Sequence, residues 1–447
     1  MVEGNQVRHR SRDLGTDFTA PTIDLDALVT PRAQPGPLFD IKLSEIIDFL
    51  VETGQRLVLE RNPYLQECAE RVAATNPLPR RIIENLYRRP GRYLTKPALT
   101  HMVAQNFHDL ACLDGWVPRI DPEGRRSSVR AFPPRLIHVL AGNSPSGAVM
   151  SIAQGALVKA INLFKMPSSD PFSTVAVLRT MADIDANHPV VRSMSAIYWR
   201  GGDDAIERVL YRPQYFDKIV AWGGGDAINN VIKYLGPGFQ LISFDPKTSI
   251  SMIGAEALAS DATLDEVAER TAADVTIFNQ EACVASRIVF IEGGREQIDR
   301  FCAKLVKRLA VDREFASAKA PALPSELREE VEVLQALGGE YRVWGAFDGS
   351  GLVIRSDEPV EFHPTGKTAN VVPVASLADA IRYVNVATQT VGVFPHARKA
   401  ELRDRLATAG AQRVVPLGSA AMSCIGSPHD AMYPLQRFVH WMVDEEA

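Results

Sequence analysis

Apolar positions in this chain repeat with two different periods, and the change between them organises it. Between residues 41 and 113 they fall three and four apart. Ile46, Ile47, Leu50 and Val51 make one such stripe, and Ile82, Ile83 and Leu86 make another before the breaker Arg89-Pro90. That spacing gathers apolar side chains on one helical face, so the segment is expected to be helical. From residue 136 onward short apolar runs alternate with helical stretches. Residues 136–140, 162–166, 195–199 and 218–222 read as strands, with helices at 149–158 and 171–186, the second opened by Pro171. A strand pair at 240–243 and 249–253 is expected to close this region. A helix at 263–278 then precedes strands at 288–291, 371–374, 391–394 and 413–417. Helices start near Arg295, Leu377 and Arg398 between them, and a last helix is expected at 435–443. Strand, turn and helix in repetition are the pattern of a parallel, doubly wound sheet. Residues 1–40, rich in Pro, Asp, Thr and Arg, show no sustained period and read as an extended arm. Residues 114–134 read as a polar connection.

Composition narrows the class. At 447 residues, with 46% hydrophobic and 23% charged residues, the chain is an ordinary globular one, too long for a single core. A net charge of −5, with both signs interspersed and no basic run, argues against nucleic acid as a partner. The five cysteines show no C-x-x-C pair, which fits a reducing compartment better than a disulfide framework or a zinc site, and no histidine pair has the spacing of a metal site on one helix, so no metal is expected. The amino-terminal residues lack an apolar signal core, and no apolar run reaches the roughly 20 residues of a membrane span. A cytoplasmic, soluble protein is expected.

Cys283 is the leading chemical candidate. It sits among small residues in Asn279-Gln280-Glu281-Ala282-Cys283-Val284-Ala285-Ser286-Arg287, between a helix and a strand. A thiolate exposed in such a loop can attack a carbonyl, although a free cysteine is also a good small hydrophobe. Gly223-Gly224-Gly225-Asp226 follows a strand and precedes a helix, a place where backbone can approach a phosphate; it is not G-x-G-x-x-G, and taken by itself reads first as an ordinary tight turn. Lys165 ends a strand, where α/β sheets bind ligands, and can meet a ribose or a phosphate, or stand as an exposed lysine on an edge loop. Asn143, in a Gly-Asn-Ser-Pro turn after a strand, can donate to an oxyanion or serve the turn alone. The histidines are scattered. His138 reads as a packed strand residue, and Glu281 as a solvated loop carboxylate.

In this order, these segments resemble the aldehyde dehydrogenase superfamily, and within it the LuxC-type acyl-CoA reductases of bacterial bioluminescence. Ala141-Gly142-Asn143-Ser144-Pro145 is similar to the motif whose asparagine helps form the oxyanion hole. Residues 162–171 are similar to the cofactor strand, in which the lysine contacts the adenosine ribose. The run 279–283, followed by Ser286-Arg287, is similar to the nucleophile loop. Gly426-Ser427-Pro428-His429-Asp430 and His440-Trp441 resemble the family's ending. The resemblance implies an aldehyde dehydrogenase-like α/β fold of two doubly wound domains with a helical amino-terminal part. The expected division is an arm at 1–40, a helical segment and Rossmann-like cofactor domain at 41–256 to which a tail at 419–447 returns, and a catalytic domain at 257–418.

Three departures sharpen the implied activity. Hydrolysing members carry a glutamate that activates water where Ser243 stands here, so an acyl-enzyme would persist and be reduced. NAD-preferring members often carry a glutamate three residues after the cofactor lysine. Ser168 stands there and admits a 2′-phosphate, so NADPH is expected, with NADH still admitted. The step from Cys283 to Arg287 is one residue shorter than in the hydrolysing enzymes. The implied activity is NADPH-dependent reduction of an acyl thioester, on CoA or a carrier, to the aldehyde. Cys283 would be the nucleophile, Asn143 the oxyanion donor, and Lys165, Ser168 and Gly223 to Asp226 the cofactor contacts. Aldehyde oxidation and a non-catalytic acyl-binding subunit are the rivals. A homo-oligomer and an acyl-protein synthetase partner belong to the same expectation.

Overall fold

The computed structural model describes residues 5–321 and 323–446, which divide at Asp245 and Ser423 into two units. In the first unit, five parallel strands run in the order Met194–Ile197, Ile161–Lys165, Arg135–Val139, Lys218–Trp222 and Gln240–Phe244. The central strand is buried at every position, as a parallel strand covered by helices on both faces must be. His138 lies there, stacked on Phe164 at 4.7 Å and bonded through Nε2 to Asn162 Oδ1 at 3.0 Å. Helix Pro145–Leu157 packs with its interior positions buried, and Ser144 caps it by accepting from Ser146 N–H at 3.2 Å. The expected helical segment consists of Leu43–Arg56, Pro63–Thr75, Arg80–Tyr87 and Lys96–Asn106.

Several expectations are corrected. The amino-terminal arm is a β-hairpin, Gln6–Arg10 paired with Asp17–Pro21. Phe18 and Ala20 alternate inward against Met166 and Tyr198, a period of two carried over too few positions to stand out in sequence. The polar connection at 114–134 holds two strands, Val117–Ile120 and Arg126–Phe132. The tail ends as a third, His440–Glu445, where a helix was expected; the short helix Pro434–Phe438 precedes it. Lys218 Nζ donates to Val439 O at 2.8 Å and ties that tail to the sheet. The tail returns from Cys424, five residues later than expected at 419.

The division near 256 also moves. Thr248–Ile253, expected to pair with Gln240–Phe244, is instead an interior strand of the second unit's sheet, and the break falls at Asp245. That seven-stranded sheet runs Arg342–Ala346, Gly351–Arg355, Thr368–Val374, Ser286–Glu292, Thr248–Ile253, Thr388–Phe394, Arg413–Pro416. Only the first pair is antiparallel. Val289 and Ile291 face helices Asp261–Val275 and Arg295–Leu309, while Phe290 faces Leu402 and Leu406 of Lys399–Ala409. The helix expected from Leu377 is only the short 3-10 turn Asp379–Tyr383.

Candidate functional site

In the first unit the chain leaves strand Arg135–Val139 toward one side of the sheet and strand Lys218–Trp222 toward the other. The crevice beyond their carboxyl ends is the switch point at which such sheets bind ligands. A cavity of about 990 Å³ opens there, and Lys165, Ser168, Gly223, Gly224 and Asp226 all line it. Gly225 is the exposed first residue of helix Gly225–Ile232. Asn143 follows the wall residue Gly142 as an exposed member of the strand-to-helix turn.

One wall of this cavity is cationic. Lys165 is half-buried at its strand's end, with Nζ 6.0 Å from the Trp199 ring. Burial lowers its pKa to about 8, against an opposing pull from Glu207. The Glu207 oxygens are already taken by Trp199 Nε1 at 3.1 Å, Gly202 N at 3.2 Å and Asn230 Nδ2 at 2.7 Å. The opposite wall is open backbone. Gly224 caps its helix without a side chain, and a Cβ at Gly224 or Gly225 would meet nothing within 4 Å. Uncapped amides at that helix start attract an anion. Between the walls, a Cβ on Gly142 would collide with Ser169 and sit 3.0 Å from Pro167, so glycine is needed where this strand end meets the 167–170 loop. Trp222, another lining residue, has a buried Nε1 with no partner among the described residues, and its ring stacks on Phe244 at 3.6 Å. A lysine without a carboxylate of its own, open helix amides and a spare indole donor suit a phosphorylated nucleotide.

The second unit carries the thiol loop. After helix Asp261–Val275, Phe278, Asn279 and Gln280 take φ values of 54°, 51° and 77°. Each left-handed non-glycine residue costs about 1 kcal/mol, so three in succession persist only where side chains hold them. Asn279 Nδ2 donates to Ser317 Oγ at 2.9 Å, and its Oδ1 accepts from Ser317 N at 2.9 Å. Gln280 Nε2 donates to Thr368 O at 2.8 Å, and its Oε1 accepts from Thr368 N at 2.9 Å. These bonds fix the approach to Cys283, which is half-buried and whose carbonyl accepts from Ser249 Oγ at 2.8 Å. The thiol therefore lies at the amino edge of the parallel strands, where the carboxyl-end rule would not place a reactive group.

Arg287 completes the loop. It is buried, and its guanidinium donates to Gln280 O at 2.8 Å and to Pro364 O. Burial lowers its pKa, while Glu281 and Cys283 pull it back up, so the cation and the thiol feel each other's charge. A fixed cation favours a thiolate. Burial and the same cation hold His363 neutral, with a pKa of about 4. Glu281 is exposed, and Ser243 is half-buried on the edge strand of the first unit's sheet. The bracing roles of Asn279, Gln280 and Arg287 were not readable in sequence, because they depend on Ser317, Thr368 and Pro364, far along the chain. The hairpin's contribution to the cavity, through Arg8, Arg10 and Arg12, was missed with the hairpin itself. Among the described residues, no group of His, Cys, Asp or Glu is arranged to hold a metal, and no helix is long and apolar enough to cross a membrane.

A five-stranded 3-2-1-4-5 sheet with a glycine-walled cavity, and a second α/β unit bearing a cysteine loop, define a protein of the aldehyde dehydrogenase fold. The NADP-dependent glyceraldehyde-3-phosphate dehydrogenase of Bacillus halodurans matches with a TM-score of 0.73 at 13% identity, covering 99% of this chain and 96% of that one. The NAD-dependent benzaldehyde dehydrogenase of Corynebacterium glutamicum matches with a TM-score of 0.72 at 15% identity, covering 100% and 95%. Identities this low carry the fold alone. The chain itself belongs to the acyl-CoA reductase (LuxC) family, whose model matches residues 38–441. It is 29% identical to the long-chain acyl-protein thioester reductase of Vibrio harveyi over 458 residues, spanning 100% of this chain and 92% of that protein. It is also 29% identical to the protein of the same name from Photorhabdus luminescens over 421 residues, spanning 91% and 83%.

Proposed function

We propose that this protein reduces an acyl thioester, on CoA or on a carrier or enzyme thiol, to the aldehyde with NADPH, through an acyl group held on Cys283. The observation that carries the reading is the family membership of a chain whose one half-buried thiol stands on a braced loop beside a buried arginine. The Cys283 thiolate attacks the acyl carbon; the new C–S bond forms as the old one breaks, and the carrier leaves as its thiolate. In this proposal the Asn143 amide donates to the carbonyl oxygen as charge develops there. A bound NADPH supplies the hydride that reduces the Cys283 thioester. Collapse of the resulting thiohemiacetal returns the Cys283 thiolate and releases aldehyde. Lys165, Ser168 and the 223–226 turn hold the nucleotide. Ser243, in place of a water-activating carboxylate, favours reduction over release as an acid.

Intact-mass spectrometry tests the scheme. Incubation with acyl-CoA should add one acyl group, absent in Cys283→Ala, and NADPH should discharge it as aldehyde. Full acyl-CoA reduction by Cys283→Ala would sink the mechanism. An adduct that NADPH leaves in place would point to an acyl-binding subunit.

A further inference from the structure

The amino-terminal hairpin is built into the nucleotide cavity. Its strands are held by apolar packing: Phe18 meets Tyr198 edge-on at 4.8 Å, and His9 meets the same ring at 4.7 Å. Its turn is pinned from beneath. Ser11 is buried and donates through Oγ to Thr75 O at 2.9 Å, while Thr75 Oγ1 donates to Ser169 O at 3.0 Å. Arg12 N–H donates to Ser168 Oγ at 3.2 Å. The turn therefore rests on the loop that follows Lys165.

The charges on this hairpin are unequal in kind. Arg8 is neutralised by Asp17 across the strands. Arg10 and Arg12 both line the cavity, and neither guanidinium has an ion-pair partner among the described residues. Arg10 lies over the turn, with Nη2 3.0 Å from where a Gly15 side chain would begin; Gly15 has a φ of 66°. Two uncompensated guanidinium groups thus share a wall with Ser168 and the Lys165 ammonium. Asp13, in the same turn, also lines the cavity and partly offsets them. Guanidinium forks bind phosphate monoesters in two-point fashion, which a ribose hydroxyl cannot reciprocate.

We propose that Arg10 and Arg12 of the amino-terminal hairpin form a clamp for the ribose phosphate monoester of the nucleotide, making the hairpin the element that selects NADPH over NADH. This rests on the reading of the cavity as the cofactor site and adds residues outside the segments that resemble the family. The shared chemistry, a phosphate on an adenosine ribose, also occurs as the 3′-phosphate of CoA, so the test separates the two.

The full-length protein and an Arg10→Ala/Arg12→Ala double variant are titrated by calorimetry with 2′,5′-ADP, 3′,5′-ADP and 5′-AMP, without thioester. The clamp predicts that the double variant loses about tenfold in affinity for 2′,5′-ADP, a loss that shrinks as salt rises, and stays within about twofold for 5′-AMP. Arg10→Lys/Arg12→Lys should recover only part, since charge returns without the fork. Equal losses for 2′,5′-ADP and 5′-AMP, no loss at all, or a wild-type preference for 3′,5′-ADP would each overturn the clamp. The underlying reading of the cavity fails separately, and takes the clamp with it, if the wild type binds none of the three.

Discussion

Arg287 Nη2 donates to the carbonyl of Gln280 at 2.8 Å, closing the loop that carries Cys283 with a buried cation. Gln280 is itself left-handed, so its carbonyl points where an ordinary backbone would not send it. The arginine therefore braces an unfavourable turn and places a positive charge beside the thiol. Separating those duties gives a first prediction. Arg287→Met strands the carbonyls of Gln280 and Pro364 and should destabilise the second unit by about 2–4 kcal/mol. Arg287→Lys restores charge but not two-point geometry, and should recover less than half. In a Cys424→Ser background, which removes the exposed thiol, alkylation of Cys283 by iodoacetamide at neutral pH should slow several-fold in Arg287→Met. Denaturant melts and alkylation rates check both parts. Unchanged alkylation would detach the arginine from the chemistry.

Gly224 offers the opposite case, a helix cap where nothing packs against the residue. Its φ of −71° and ψ of 168° suit any residue, and a Cβ there meets no atom within 4 Å. Gly224→Val should therefore cost only the modest penalty of a poorer helix cap, about 1 kcal/mol. If the nucleotide phosphates lie on the helix that follows, the same change should cut NADPH affinity at least tenfold. Fluorescence titration against thermal melts reads the two effects apart; wild-type affinity in this variant would move the phosphates elsewhere.

What sequence could show follows from the range of the interactions involved. The strands 136–140 and 218–222 were legible because a parallel strand buried on both faces is a continuous apolar run. Lys165 and Gly223 were legible because strand ends point into a crevice whatever the rest of the sheet does. Thr248–Ile253 looks in sequence like the partner of the adjacent apolar run 240–244, and nothing local reveals that its own partner, Thr388–Phe394, lies far along the chain. The left-handed turn before Cys283 carries no glycine to announce it, since Ser317 and Thr368 hold it from a distance. The hairpin's five-residue strands are too short to show a period, so the cavity's arginines were invisible beside an otherwise unpatterned arm.

Lys165 sets a pH dependence on the ligand. With its pKa near 8, the ammonium is charged below that value and neutral above it. A phosphorylated nucleotide should therefore bind best below about pH 8, with affinity falling as pH rises through 8 and levelling beyond it. Lys165→Met should bind more weakly at pH 7 and lose the step. Titrations of NADPH binding at several pH values in both proteins decide this; a step that survives in Lys165→Met would belong to another group.

His138 sets one on stability. It is fully buried in the central strand of the first sheet, donating from Nε2 to Asn162, with its Nδ1 lacking any partner among the described residues. Burial holds its pKa near 4, against a pull upward from Asn162. The sign follows from which state takes the proton. Between about pH 6.5 and 4 the unfolded chain protonates this histidine while the native state does not, so stability is full above 6.5 and is lost as pH falls toward 4. Each tenfold difference in proton affinity between the unfolded and native states is worth about 1.4 kcal/mol, so the loss should approach 2–3 kcal/mol near pH 4. His138→Phe keeps a ring against Phe164 and removes the titration, at the cost of leaving Asn162 Oδ1 without its donor. Its absolute stability should therefore drop, while the slope of stability against pH between 4 and 6.5 flattens relative to the wild type. Urea melts across that interval measure the slope independently of the offset, and parallel slopes in the two proteins would show that the acid sensitivity of the first unit arises at other groups.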